Sequence, residues 1–143
     1  MMAGVRISSA LIANYAESRA GVLNILGAFP EWWEVPKLPW AGVLSFVVVL
    51  ELAGAEDAKK PYKLDFTLRR PTGESDHLLS VQTTRVATTQ VPGAPFRNAV
   101  PVQLPITLGT AERHSIVVSE TDTEQSVEVP FGVRLVPPPP ASQ

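Results

Sequence analysis

Cysteine is absent from the 143 residues, and histidine occurs only twice, at His77 and His114. The chain therefore has no disulfide framework, thiolate nucleophile or zinc knuckle, and few imidazoles from which to build a metal centre. Charge is scarce and balanced. Twelve basic residues against 14 acidic ones leave a net charge of −2, and charged residues make up 18% of the chain. That is neither the basic excess that binds a phosphate backbone nor the acidic bias of a disordered chain, so no nucleic-acid partner is expected. No stretch reaches the roughly 18 consecutive apolar residues of a membrane helix. The best run, Val43 to Leu50, is interrupted by Ser45 and closed by Glu51. Near the N-terminus, the apolar patch Ala10 to Ala13 is cut by Ser8, Ser9, Asn14 and Glu17 to below the length of a signal-peptide core. A cytoplasmic protein without membrane contact is the expectation. The nine glycines are isolated, which excludes a phosphate cradle.

At about 150 residues per domain, this length is that of one domain, and 45% hydrophobic residues suffice for an ordinary core. The dominant pattern is period two, in which successive side chains point to opposite faces of a strand. Tyr62, Leu64, Phe66 and Leu68 alternate with Lys63, Asp65, Thr67 and Arg69. This is a half-buried strand. It ends at Arg70-Pro71-Thr72-Gly73, a type I turn signal, and the run Leu78 to Thr88 completes a hairpin. Val127, Val129, Phe131, Val133 and Leu135 form a second alternating face, reached from Ser115–Glu120 through the polar tip Thr121–Glu124. Val5 to Tyr15 and the segment marked by Leu23, Ile25 and Phe29 suggest a further hairpin across Ser18–Gly21.

Two runs depart from simple alternation. Val43 to Leu50 is apolar on both faces and rich in valine, as befits a central strand covered on both sides. A helix is rejected there because the run is short and follows Pro36-Lys37-Leu38-Pro39. In Val100 to Leu108, Pro101 and Pro105 remove two backbone donors from the same lateral side, so this strand is assigned to a sheet edge. Ala53 to Lys60 has the composition of a single helical turn before Pro61. About eight strands with turn signals every 8–12 residues or so, and no helical crossovers, imply an all-β, single-domain antiparallel sandwich over residues 1–136, with a small barrel as the alternative. Residues 137–143, opening with four prolines, read as a flexible tail.

Two stretches carry a resemblance. They are Ala10-Leu11-Ile12-Ala13-Asn14-Tyr15-Ala16-Glu17 with Gly21-Val22-Leu23-Asn24-Ile25-Leu26-Gly27-Ala28-Phe29, and Val129-Pro130-Phe131-Gly132-Val133-Arg134. The chain resembles an uncharacterised bacterial family of small all-β proteins with a leucine-asparagine-isoleucine-x-glycine run in the first hairpin and a valine-proline-phenylalanine run in the last strand. The resemblance implies an immunoglobulin-like sandwich and brings no catalytic residues with it.

Catalytic chemistry has little to stand on. His114 neighbours Ser115, and His77 neighbours Asp76, but adjacent residues of a strand face opposite ways. Asp76, His77 and His114 would meet as metal ligands only if their strands were adjacent. Glu120, Asp122 and Glu124 read as solvating a hairpin tip. No cofactor, metal or catalytic role is assigned.

One segment rises above this background. All three tryptophans fall in the loop Phe29-Pro30-Glu31-Trp32-Trp33-Glu34-Val35-Pro36-Lys37-Leu38-Pro39-Trp40. Indoles suit interfaces and ligand grooves as well as cores, and the prolines stiffen the loop. Phe29, Glu31, Trp32, Trp33, Glu34, Pro36 and Trp40 are the candidate binding residues. The first expectation is a non-enzymatic module that contacts a protein partner or a second copy of itself. The alternative is a small-ligand or carbohydrate-binding domain using the same tryptophans. A third use of the indoles is to cap the open end of the sandwich. Because Trp32 and Trp33 are adjacent, an extended backbone turns one of them outward.

Overall fold

A computed structural model describes residues 5–19, 22–28, 31–52, 61–83 and 96–136. Nine strands occur among them: β1 (Val5–Arg19), β2 (Val22–Ala28), β3 (Trp32–Val35), β4 (Trp40–Leu52), β5 (Tyr62–Arg69), β6 (Ser75–Thr83), β7 (Phe96–Leu108), β8 (Arg113–Glu120) and β9 (Ser126–Leu135). They form two sheets, here sheet A in the order β2-β1-β4-β7 and sheet B in the order β3-β9-β8-β5-β6. Both sheets are open, so the arrangement is a sandwich and not a barrel. The chain passes between sheets from β2 to β3, from β3 to β4, from β4 to β5, from β6 to β7 and from β7 to β8, and the β4-to-β9 part follows the connectivity of an immunoglobulin sandwich.

Each strand's role follows from its residues. In β5, Tyr62, Leu64, Phe66 and Leu68 are buried and Lys63 and Arg69 exposed, as the alternation requires. From the opposite sheet, Leu44, Phe46, Val48 and Leu50 of β4 enter the same core, and Phe46 meets Phe66 edge-on at 5.7 Å. β4 is central, with Leu44 to Val48 buried on both faces. Its outward Val47 is covered by the first hairpin, while Val43 on the same face is 56% exposed. Ala13 pairs with Ser45, yet three residues later the Ala16 carbonyl accepts a hydrogen bond from Gln103 Nε2 on β7, on the far side of β4. β1 therefore bends across sheet A, and a second small cluster of Leu11, Ala13, Ala16 and Val47 forms beneath it.

Among the described residues β7 is an edge, paired with β4 alone, with Pro101 opposite Val47 and Pro105 opposite Val43. The turn after β5 closes with the Gly73 N–H donating to the Arg70 carbonyl at 2.9 Å, and Gly73 takes a φ of 92° that its missing Cβ permits. Leu38-Pro39 is a cis peptide.

Three sequence expectations need correction. The tryptophan segment is not wholly a loop: Trp32 to Val35 is a strand, and it pairs parallel to β9, so sheet B is mixed. The second arm of the hairpin begins at Ser75 and not at Leu78, and it carries a bulge, since Phe66 pairs with Leu79 but Thr67 with His77. Glu120 does not solvate the hairpin tip. It is 1% exposed, and its carboxylate accepts hydrogen bonds from the backbone N–H groups of Asp122 and Thr123 and from the Thr123 hydroxyl. The expected helical turn at 53–60, the end of the hairpin at 84–88, Phe29 and the tail at 137–143 lie outside the described residues.

Candidate functional site

β3 forms because alternate backbone groups find partners on β9. The Gly132 N–H donates to the Glu31 carbonyl at 3.0 Å, and the Val136 N–H to the Val35 carbonyl at 2.8 Å. Residues 31, 33 and 35 thus turn their backbone toward β9, and by period two Trp32 and Glu34 turn theirs to the open edge. Side chains divide likewise. Val35 is buried and Trp33 packs against the core, where it meets Trp40 edge-on at 6.1 Å. Trp32 faces out and is 46% exposed. The tryptophans therefore split by strand parity, two capping the core and one left in solvent.

Trp32 lies flat because of the residue beneath it. Gly132 pairs with Trp32, and a Cβ at that position would sit 2.5 Å from the indole Cε3 and Cζ3 atoms. With no Cβ there, the benzo ring rests on the backbone of β9. Arg134 places its guanidinium carbon 5.6 Å from the indole centroid and forms an ion pair with Glu34. Gly132 also pairs with Arg113 of β8, so one row across sheet B reads Trp32, Gly132, Arg113. No ion pair to Arg113 is found among the described residues.

Two clefts flank this row. One, of about 310 Å³, is lined by Asn14, Trp32, Trp33, Glu34 and Trp40. The other, of about 400 Å³, is lined by Arg69, Arg70, Pro71, Glu112, Arg113, His114, Ser115, Glu128 and Pro130. In the second, Glu128 accepts from Arg69 at 2.6 Å and from the Ser115 hydroxyl at 2.8 Å, and Arg70 pairs with Asp76. Of the sequence candidates, Trp32, Trp33, Glu34 and Trp40 meet in one cleft. Glu31 and Pro36 are exposed outside it, and Glu31 contributes only its carbonyl, to Gly132. Asn14, Arg113, Gly132 and Arg134 belong to the surface but were not singled out. The glycine between Pro130 and Arg134 marks a place where a neighbour can approach β9 closely, but nothing in the sequence says which side chain does so.

The other chemical groupings resolve differently. His114 is buried, stacks on Phe131 at 5.8 Å and holds its Nδ1 2.9 Å from the Glu112 carbonyl, while Ser115 turns to Glu128. β6 and β8 are separated by β5, so Asp76, His77 and His114 do not meet, and no metal-binding group of three acids or histidines occurs among the described residues. The bulge in β6 does bring His77 to Ser80 and Asp65. Ser80 donates to Asp65 Oδ1 at 2.5 Å, and His77 Nε2 lies 2.9 Å from Ser80 Oγ and 3.6 Å from Asp65 Oδ1. Both partners crowd one ring nitrogen, and the serine proton points to the carboxylate. A nucleophilic triad instead sets serine and acid on opposite ring nitrogens. The Ser80 hydroxyl holds the Asp65 carboxyl below its usual range, aided by Lys63, His77 and Thr121 against partial desolvation. Asp65 is therefore kept as an anion and not poised as a base near neutrality.

Among the described residues no helix is long and apolar enough to cross a membrane. No protein-family model and no curated protein matches the chain. Among solved structures it is similar to the Pseudomonas fluorescens alkylpurine DNA glycosylase AlkC bound to DNA containing an abasic site analog, with 12% identity and a TM-score of 0.51. The match covers 92% of this chain and 31% of the glycosylase chain, so this protein spans under a third of that enzyme's length. At that identity the likeness shows the sandwich fold and nothing of the enzyme's activity.

Proposed function

We propose that the protein is a non-enzymatic β-sandwich binding module whose recognition surface is the outer face of sheet B around Trp32. The observation that carries this is the posture of Trp32. Its ring is seated on Gly132, flanked by the Glu34–Arg134 pair and about half exposed, whereas Trp33 and Trp40 are spent on the core. An indole already held by Gly132 and Arg134, with about half of its surface open, stacks on a ligand without first reorganising, which lowers the entropy lost on binding. The adjoining cleft of about 310 Å³ is at the small end of ligand pockets, which favours a compact polar ligand or one unit of a longer one. Saturation-transfer NMR with a mixed fragment set tests the reading. Fragments that touch wild-type protein should lose their signal in Trp32→Ala, and an identical fragment profile in both proteins would refute it.

A second reading, contact with a protein partner or a second copy, draws on β3 itself. Its outer edge offers the backbone groups of Trp32 and Glu34, while β7 is blocked by prolines and the free stretch of β1 is capped by Gln125, which accepts from the Ile7 N–H and donates to the Val5 carbonyl. Light scattering across a concentration series decides it. A dimer that dissociates in Glu34→Pro supports pairing at β3, and a monomer throughout removes self-pairing.

A further inference from the structure

We propose that the ligand of this surface is a neutral oligosaccharide, lying across the strands from β3 toward β5. The inference deepens the binding reading above and rests on it. Three observations converge.

The first is chemical. A pyranose presents an apolar C–H face and a rim of hydroxyls. Trp32 offers a flat ring for the face, and the Glu34–Arg134 pair beside it offers carboxylate acceptors and guanidinium donors for the rim. Across Gly132, Arg113 adds an exposed guanidinium with no ion pair among the described residues, and the Arg69–Glu128 pair repeats the same donor and acceptor set in the next cleft. The second is geometric. β3, β9, β8 and β5 are consecutive, and three strand spacings of about 4.8 Å make a track of about 14 Å, the reach of about three sugar units. The third is charge. Arg69, Arg70, Arg113 and Arg134 are matched by Glu34, Asp76, Glu112 and Glu128, all lining the two clefts or paired to their lining. Four cations against four anions cancel the field. A polyanion such as single-stranded DNA needs a net positive track and counterion release, which this surface does not offer. A neutral ligand needs the hydrogen bonds without the field.

Titration calorimetry on the full chain tests the class. The neutral probes are cellohexaose, maltohexaose, xylohexaose and chitohexaose; the charged ones are a polygalacturonate oligomer and octathymidylate. At least one neutral probe should bind, with affinity changing less than about twofold between about 0.05 and 0.5 M sodium chloride. It should fall about tenfold or more in Trp32→Ala and about threefold in Arg113→Met, while Trp32→Tyr retains most of it. Both side chains are exposed, and unchanged thermal melting confirms that the variants fold. Neutral binding that survives Trp32→Ala overturns the inference. So does exclusive, salt-sensitive binding of the charged probes. If no neutral probe binds while other fragments still depend on Trp32, the sugar class is wrong and the site stands; if no fragment depends on Trp32, the site itself is wrong.

Discussion

At the scale of single residues, a few contacts carry the architecture of the surface. Gly132→Ala sets a methyl against the Trp32 benzo ring, a flexible side chain that swings away, so stability should fall by only about 1 kcal/mol while Trp32 emission shifts to the red. Unchanged emission would mean the ring does not rest on β9. Glu120 is a different kind of residue, since its buried carboxylate closes the β8–β9 turn with three hydrogen bonds. Glu120→Ala should cost about 1–3 kcal/mol in urea unfolding, because the part-buried N–H groups of Asp122 and Thr123 lose their acceptor. A loss no larger than that of the neighbouring Asp122→Ala would contradict this role. Sequence reasoning missed Glu120 because an acidic tip reads as solvated. Nothing in Glu120-Thr121-Asp122-Thr123 marks which acid folds back over its own backbone.

Two carboxylates contribute to the acid sensitivity. Glu51 is held low by the hydrogen bond from Arg6 and then by Arg97, and Asp65 by Ser80. A carboxyl whose value is lowered by folding contributes stability that is complete above its ordinary range and is lost as the pH falls through the lowered value. The melting temperature of wild type should therefore fall on acidification below about pH 4, and Asp65→Asn should show a shallower fall. Parallel curves for the two proteins would show that Asp65 gains nothing from Ser80 on folding.

At the scale of elements, strands announced themselves and interruptions did not. The alternation in β5, the doubly apolar run of β4 and the paired prolines of β7 translate directly into a buried face, a central position and an edge. In β9, by contrast, Phe131 and Val133 are buried but Leu135, expected on the same face, is 46% exposed. β3 was less legible. Four residues between prolines carry no readable period, and their strand state depends on β9, a hundred residues away, for its hydrogen bonds. The bulge in β6 hid in the adjacent Leu78 and Leu79, where one alternation slips, and it alone brings His77 onto the face of Asp65 and Ser80. The edge role of β7 has its own test. Pro101→Thr with Pro105→Thr restores two outward donors, so self-association by light scattering should rise above wild type. An oligomeric state unchanged from wild type would show that the prolines do not guard this edge.

At the scale of the whole molecule, an immunoglobulin-type sandwich spends two indoles on its core and keeps one on a face whose charges cancel. The fold was legible because it follows from side-chain parity. The tryptophan segment was legible as a place, but not as a surface: Arg113, Gly132 and Arg134 come to Trp32 through parallel and antiparallel pairing that no local pattern reveals. The most direct test is a nitrogen–proton correlation spectrum of the three indole N–H groups, with Trp32 assigned by its disappearance in Trp32→Phe and the wild type titrated with the mixed fragment set. The Trp32 signal should move furthest, ahead of those of Trp33 and Trp40, which pack against the core and only line the adjoining cleft. Movement of the two core indoles with Trp32 unmoved would contradict the assignment of this face as the recognition surface.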